Sequence, residues 1–385
     1  MARRRAALTG LLHEHGASHA LVYGSDRSGS AVPWLTGWPV TREAALLFTP
    51  GERDLLFVCF NNHVPNARLL APDAEVRPGN GSALDAALDV IAGRRGTAGA
   101  QSRPGSARPG AQSSLGIIGP VPARASTRLA QVAGEPVFLD RGYTRLRLVK
   151  SAEEIAWLRT GAAMSDAAVA ALAAAARPGM TEAECCASLE SAYIAGGGLT
   201  HIHYLGVTAM AEPDLCVPAQ WPSARRLRAG DVLTCEVSAA YQGYPGQLLR
   251  TFTIAAEPTP LYRGLHEVAE AAFGAIAGRL RPGASAAELS AAAADVILGA
   301  GWTIYDDLVH GYGGGYLPPV ISRAHLEARS APDITLRPGM TVVIQPNVIT
   351  PDERAGVQTG ELVLVTESGW ESLHSFPPGM ARVGG

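Results

Sequence analysis

The chain has 385 residues, 32 basic and 35 acidic side chains and a formal net charge of -3 at pH 7, long enough for two domains with a substantial core. Charged residues make up only 17% and form no long run of one sign. This argues against nucleic acid or an anionic membrane as partner and for a small-molecule or short-peptide substrate. No apolar run approaches the ~20 residues of a membrane span. The five cysteines (Cys59, Cys185, Cys186, Cys216, Cys235) form neither an evenly spaced framework nor a C-x-x-C pair, so neither structural disulfides nor a zinc knuckle is expected, and the expected location is the cytoplasm.

The first residues imitate a signal peptide, but His13, Glu14 and His15 interrupt the apolar stretch and an amphipathic helix is the better reading. Strand-like runs follow at His19–Tyr23, Ala44–Phe48 and Asp54–Cys59, then a helix-like Ala83–Ala92, which is α/β patterning. Residues 94–114 are rich in Gly, Ser and Pro and are expected to form a flexible loop. Leu115–Ile118 resumes the strand pattern, so this loop lies inside a first domain spanning 1–142. A second domain spans 143–385. It opens on Ser151-Ala-Glu-Glu154, a capping box before a long Ala-rich helix. Arg177–Glu184 and Arg281–Glu288 each turn at Pro-Gly and recap, with Thr181 or Ser285 three residues before a glutamate. The pair predicts an internal pseudo-repeat of helix, turn, helix and strand; capping boxes are also a common way to join helices.

A series of short motifs is spread along the chain: Leu148-Val-Lys-Ser-Ala-Glu-Glu-Ile155, Arg177-Pro-Gly-Met-Thr-Glu182, Gly230-Asp-Val-Leu233, Tyr241-Gln-Gly-Tyr244, Arg250-Thr-Phe252, His310-Gly-Tyr-Gly313, Pro338-Gly-Met340, Gln345-Pro346 and Val365-Thr-Glu-Ser-Gly369. Together, in this order and spacing, they resemble the creatinase, prolidase and methionine aminopeptidase family. Val22-Tyr-Gly24 and Leu35-Thr-Gly-Trp38 resemble its N-terminal domain less specifically. The resemblance implies a smaller α/β creatinase-like N-terminal domain and an α+β "pita-bread" catalytic-type domain with pseudo-symmetric halves. It also implies a dinuclear metal site held by two aspartates, one histidine and two glutamates. Those positions fall at Glu236, Gln247, His310, Gln345 and Gly360, the last beside Glu361. The family's proton-shuttling histidine falls at Ala219. With one carboxylate where four are expected, two hard cations would lack the anions that offset their repulsion. Metal ligands in this protein are therefore expected to be none, as in creatinase, which cleaves a C–N bond with protein groups alone.

His310 lies in the Gly-rich stretch Asp306–Tyr316 and titrates near neutral pH, so it is a catalytic candidate over a merely loop-bonded histidine. Glu236 sits in a strand-like Val232–Val237 run whose apolar neighbours would raise its pKa towards that of a general acid or base. Gln247, Gln345 and Asn347 are amides in apolar or turn-rich stretches; they either pair with one another or bind substrate. As neutral donors and acceptors they suit a carboxylate, amide or ureido group. His201 and His203 are expected on one strand face by period-two alternation, with His203 as a candidate replacement for the missing shuttle. Tyr244, Arg250 and Glu361 complete the substrate-binding candidates, Arg250 for a carboxylate, with a structural ion pair as its alternative. Cys235, facing away from Glu236, is expected in the core with Cys185 and Cys186.

The function expected from these residues is a creatinase-like, metal-independent hydrolase of a C–N bond in a small amino-acid-derived substrate, working as a homodimer with no cofactor. One alternative is an Xaa-Pro aminopeptidase or dipeptidase-type metallopeptidase with an atypical site using Mn, Co or Zn. The other is a non-catalytic binding module, since fold does not dictate function.

Overall fold

The computed structural model describes residues 1–26, 28–101 and 114–385, and the chain divides into two compact units, Met1–Leu146 and Arg147–Gly385. The first contains α1 (Ala2–Glu14), β1 (Ala17–Ser25), α2 (Ala31–Thr36), β2 (Glu43–Phe48), β3 (Asp54–Val58), α3 (Val64–Leu70), β4 (Ala74–Pro78), α4 (Ala83–Gln101), β5 (Ser114–Ile118), α5 (Ser126–Ala133), β6 (Val137–Phe138) and α6 (Asp140–Leu146). Its strands form one mixed sheet in the order β4-β3-β2-β1-β5-β6.

Both faces of that sheet are covered. Ala20, Val22, Leu46 and Leu56 pack with Leu8, Leu12 and Trp34 on one side, while Leu21, Tyr23, Leu47 and Phe57 pack with Leu84 and Leu88 on the other. This is why the strands read as continuous apolar runs. Each buried leucine contributes ~1.5–3 kcal/mol of transfer free energy. Glu43 is buried where α4 begins, and its carboxylate accepts from the Ala83 amide and from the Tyr23 hydroxyl, a favourable place for negative charge. The expected loop over 94–114 is corrected at both ends. Helix α4 continues to Gln101, because Ala, Arg and Gln keep helical preference while each Gly costs only ~1 kcal/mol, and Ser114 already pairs in β5. The remainder, 102–113, lies outside the described residues.

The second unit runs α7 (Ala152–Ala175), α8 (Glu182–Ser191), β7 (Leu199–Ala209), β8 (Asp231–Tyr241), β9 (Tyr244–Ile254), α9 (Pro260–Ala277), α10 (Ala286–Ile297), β10 (Thr303–Ile304), β11 (Val309–Tyr312), β12 (Tyr316–Ile321), α11 (Arg323–Glu327), β13 (Thr341–Ile344), β14 (Val348–Ile349), β15 (Gly360–Val365), β16 (Trp370–Ser372) and β17 (Ala381–Val383). Its main sheet has the order β12-β11-β13-β15-β9-β8-β7, antiparallel along this path. Ser151 and Thr181 form the expected capping boxes of α7 and α8, and Ser285 caps α10.

The pseudo-repeat reaches the backbone. Thr181 bridges Arg226 and Ser285 bridges Thr335, while the Leu227 amide donates to Met180 O and the Leu336 amide to Ala284 O. The two helix pairs pack on one face of the sheet. Leu205, Val207, Leu233, Cys235, Val237 and Leu248 meet α7 and α8, and Val309, Val342, Ile344, Val363 and Val365 meet α9 and α10. The site-bearing positions lie on the second face.

Candidate functional site

Strand register decides which side chains meet. In β8 and β9, Glu236 pairs with Leu249 and Ser238 with Gln247, and directly opposed residues of an antiparallel pair project to the same side. On β7, Tyr204 is opposite Glu236. On β11, His310 pairs with Val343 of β13, and Gly360 of β15 pairs with Leu249. Glu236, Gln247, Tyr204, His310 and Tyr312 thus share the second face. Gln345 follows Ile344 at the end of β13 and joins them. On the same face Leu249, Tyr312, Val343 and Leu362 belong to one apolar cluster with Leu158 and Ala162 of α7.

The polar layer is a directed chain. Gln247 Nε2 donates to Glu236 Oε1 at 2.7 Å and to Gln345 Oε1 at 2.8 Å. Gln345 Nε2 donates to the Asp307 carbonyl at 2.9 Å, and Asn347 Nδ2 reaches the same carbonyl at 3.5 Å. The Asp307 carbonyl at one end accepts only, so the amide orientations leading from it to Glu236 follow from the network.

Glu236 keeps part of its surface accessible, yet desolvation, reinforced by the negative charge of Asp306, pushes its carboxyl up to about 8. His310 is 1% exposed. Its ring stacks on Tyr316 with centroids 4.1 Å apart and meets Tyr312 edge-on at 5.2 Å. Burial pushes the imidazole down to about 4, opposed by hydrogen bonding to the Gly311 carbonyl and to Gln345. Near pH 7 the site therefore presents a neutral imidazole and a mainly protonated carboxyl, with pKa values pushed apart as acid–base pairs require. Its positioning differs from the sequence reading in one respect: His310 is in strand β11, and the turn is Gly313–Gly315. All three glycines have positive φ (148°, 60° and 118°). The φ of +148° at Gly313 is one that L side chains rarely adopt, which favours glycine there. Arg147 Nη2 donates to the Gly313 and Gly314 carbonyls, and Lys150, fully desolvated, is pushed down to about 7.

Four candidates are corrected. His203 lies on the helix-covered face, paired with Val237, and its Nε2 is 2.7 Å from the Tyr193 hydroxyl. The expectation that it shares a face with His201 fails because the register shifts between Thr200 and Ile202. An extra residue at a bulge inverts the alternation; His201 instead stands edge-on to Tyr312 at 6.0 Å. Arg250 pairs with Cys235 on the helix-covered side and is 1% exposed. Its guanidinium donates to the carbonyls of Leu249, Gly360, Phe376 and Pro377 and to Glu361 Oε2 at 2.8 Å, which leaves nothing for a substrate carboxylate. Glu361 is held there too, also accepting from Ser372 Oγ at 2.6 Å. Tyr244, 6% exposed, donates its hydroxyl to Glu154 Oε1 at 2.7 Å and packs on Trp157. Cys235 is fully buried, and burial pushes its thiol up to about 12.

Residues that sequence reasoning passed over are Tyr204, Tyr312, Tyr316, Asp306 and Asp307. Burial raises the pKa of all three tyrosines, with the Glu236 charge adding to it, and Tyr316 donates its hydroxyl to Asp307. Aromatics and acids crowding the histidine's stretch were the available signal.

The metal pair that the resemblance implies does not fit these donors. Among the described residues no group of three His, Cys, Asp or Glu side chains is placed to hold an ion. Gln247 and Gln345 present amides already bonded to each other. At Gly360, φ is +143° and a Cβ would stand 2.1 Å from the Ile344 carbonyl, so the backbone itself excludes a ligand side chain.

The sequence model of metallopeptidase family M24 matches residues 156–367. The chain is 32% identical over 273 residues to the probable dipeptidase PepE of Mycobacterium tuberculosis, covering 70% of each protein. It is 26% identical over 234 residues to the Xaa-Pro dipeptidase of Pyrococcus furiosus, covering 59% of this chain and 63% of that protein. The fold is similar to that of the dipeptidase PepE from Mycobacterium ulcerans (TM-score 0.79, 24% identity, 100% and 98% of the chains). It is equally similar to that of the prolidase from Pyrococcus horikoshii (TM-score 0.79, 20% identity, 97% and 99%). A mixed α/β first unit and a curled antiparallel pita-bread sheet are thus the architecture of this chain. No helix among the described residues is long and apolar enough to cross a membrane.

Proposed function

Because the chain belongs to metallopeptidase family M24, we propose that it hydrolyses a C–N bond in a dipeptide-sized or other small amino-acid-derived substrate, using protein groups in place of a metal pair. The observation that carries this reading is the desolvated Glu236 carboxyl, held by a single amide donor on the same face as a neutral, buried His310. In this reading His310 takes a proton from water as its oxygen bonds to the scissile carbon, and the protonated Glu236 gives its proton to the leaving nitrogen as the C–N bond breaks. The proton on His310 then returns to Glu236 through solvent, and both groups regain their starting states. Leu249, Val343 and Leu362 give the same face an apolar surface beside these groups.

Turnover of Xaa-Pro dipeptides and N-substituted amino acids by protein dialysed against a chelator is the direct test. Retained turnover, lost by ~100-fold or more in Glu236→Gln, is the expected result. A second reading, a metal-dependent dipeptidase with an atypical donor set, draws on the names of the relatives, probable dipeptidase and Xaa-Pro dipeptidase. Activity abolished by the chelator and restored by Mn, Co or Zn would establish it and overturn the first.

A further inference from the structure

Within the hydrolase reading, on which this inference rests, we propose that Tyr316 is the positioning residue of His310: its ring is a movable cover on the imidazole, latched through its hydroxyl to Asp307, and swings aside to admit water and substrate. His310 is 1% exposed, and a base that takes a proton from water needs that water within hydrogen-bond reach. Two rings close it off. Tyr312 meets it edge-on at 5.2 Å, and Tyr316 lies over its face with centroids 4.1 Å apart and planes 22° from parallel. Only one of the two can leave. Tyr312 is 2% exposed, belongs to the apolar cluster of Leu249, Val343 and Leu362, and its carbonyl accepts from Thr341 Oγ1. Tyr316 is 51% exposed, and its tether is the bond that its hydroxyl donates to the half-buried Asp307 carboxylate.

The backbone that carries the cover is fixed. Arg147 Nη2 donates to the Gly313 and Gly314 carbonyls, the Lys150 side chain lies against Gly313, and the Tyr244 ring lies against Gly314. Tyr316 follows this turn and pairs with Tyr312, so the motion is confined to its side chain, where a change of χ1 rotamer suffices. The latch is tied to the site it guards, because the Asp307 carbonyl accepts from Gln345 Nε2 and Asn347 Nδ2. Burial and the Asp307 charge push the Tyr316 hydroxyl up, so it stays a donor across the neutral range. The cover also sets the state of the base. Around the imidazole stand Tyr312 of β11, Tyr316 of β12 with Asp307 behind it, His201 and Tyr204 of β7, Glu236 of β8 at the far end of the Gln345–Gln247 chain, and Arg147 and Lys150 at the turn. Among the described residues none of these charges enters its balance, in which burial pushes it down to about 4 against hydrogen bonds to Gly311 and Gln345. Removing the ring therefore returns water to His310 and raises its pKa towards the ordinary ~6.5.

Diethyl pyrocarbonate, which acylates neutral imidazoles, tests the proposal when applied to the full chain at about pH 5 to 8 and read histidine by histidine by peptide mass spectrometry. In wild type His310 should label at least ~10-fold more slowly than the exposed His13, at a rate flat across this range. Tyr316→Phe keeps the ring and cuts the latch, so labelling of His310 alone should rise ~10-fold. Tyr316→Ala should raise it further and bend its profile below about pH 6.5, while His203 and His374, buried elsewhere in the unit, keep their wild-type rates. Wild-type His310 labelling as fast as His13, an unchanged rate in Tyr316→Phe, or a rise shared with His203 and His374 overturns the proposal. The labelling needs no substrate, so absence of turnover with this pattern intact sinks the hydrolase reading alone.

Discussion

Two polar clusters stand on opposite faces of the same strands, and they are built on opposite principles. On the helix-covered face Arg250 and Glu361 are closed: the guanidinium is spent on four carbonyls and one carboxylate, and the carboxylate on Arg250 and Ser372. On the other face Glu236 and Gln247 are open, with one carboxylate oxygen, a buried amide oxygen nearby and a neutral imidazole left for something else. Neighbouring residues of one strand therefore divide the work. A fully satisfied buried charge fixes the sheet, and a partly satisfied one stores reactivity.

The contrast breaks most visibly at Arg250. Arg250→Met leaves the partly buried Glu361 without its cation and strips four carbonyls of a buried donor, and should cost ~3–5 kcal/mol, read by urea denaturation. Glu236→Gln should do the reverse, costing ~100-fold or more in turnover with no loss of stability. Because the Glu236 pKa rises on folding, the native state holds its proton more tightly than the unfolded chain; stability from this group is full below about pH 4.5 and declines as pH rises to about 8. The glutamine variant should therefore gain on wild type above pH 8.

His310 carries the opposite sign. Its pKa falls on folding, so the unfolded chain binds the extra proton and stability is lost as pH drops from 6.5 towards 4, by up to ~1.4 kcal/mol per unit. His310→Asn should flatten that limb in a pH series of thermal melts while removing turnover. The smallest effect is expected at His203: His203→Gln should lower stability by ~1 kcal/mol through the Tyr193 contact and leave kcat/KM within about twofold. A large loss of activity there would return His203 to the site.

Only the open side of this division was legible in the sequence. Apolar periodicity and capping boxes placed β1, β2, β3, α4, β5, α7, α8 and α10, and the family resemblance aligned Glu236, Gln247, His310 and Gln345. What the sequence concealed was register. A single bulge after Thr200 sends His203 to the wrong face for chemistry, and nothing in Thr200-His-Ile-His-Tyr204 announces it. Arg250 and Glu361 look like substrate ligands as residue types; only their parity on β9 and β15 assigns them to the helix-covered side. Asp306 and the three tyrosines belong to segments that meet only in the folded sheet, so no local pattern joins them to Glu236.

Gly360 carries the last consequence. With a carbonyl 2.1 Å from where its side chain would start, this position behaves as a ratchet: single substitutions can exchange an amide for an acid at Gln247 or Gln345, but none can put a carboxylate at 360 until β13 and β15 move apart. The passage between a cation-coordinating pocket and this one is gated by strand spacing, and a redesign that aims to cross it must begin with backbone.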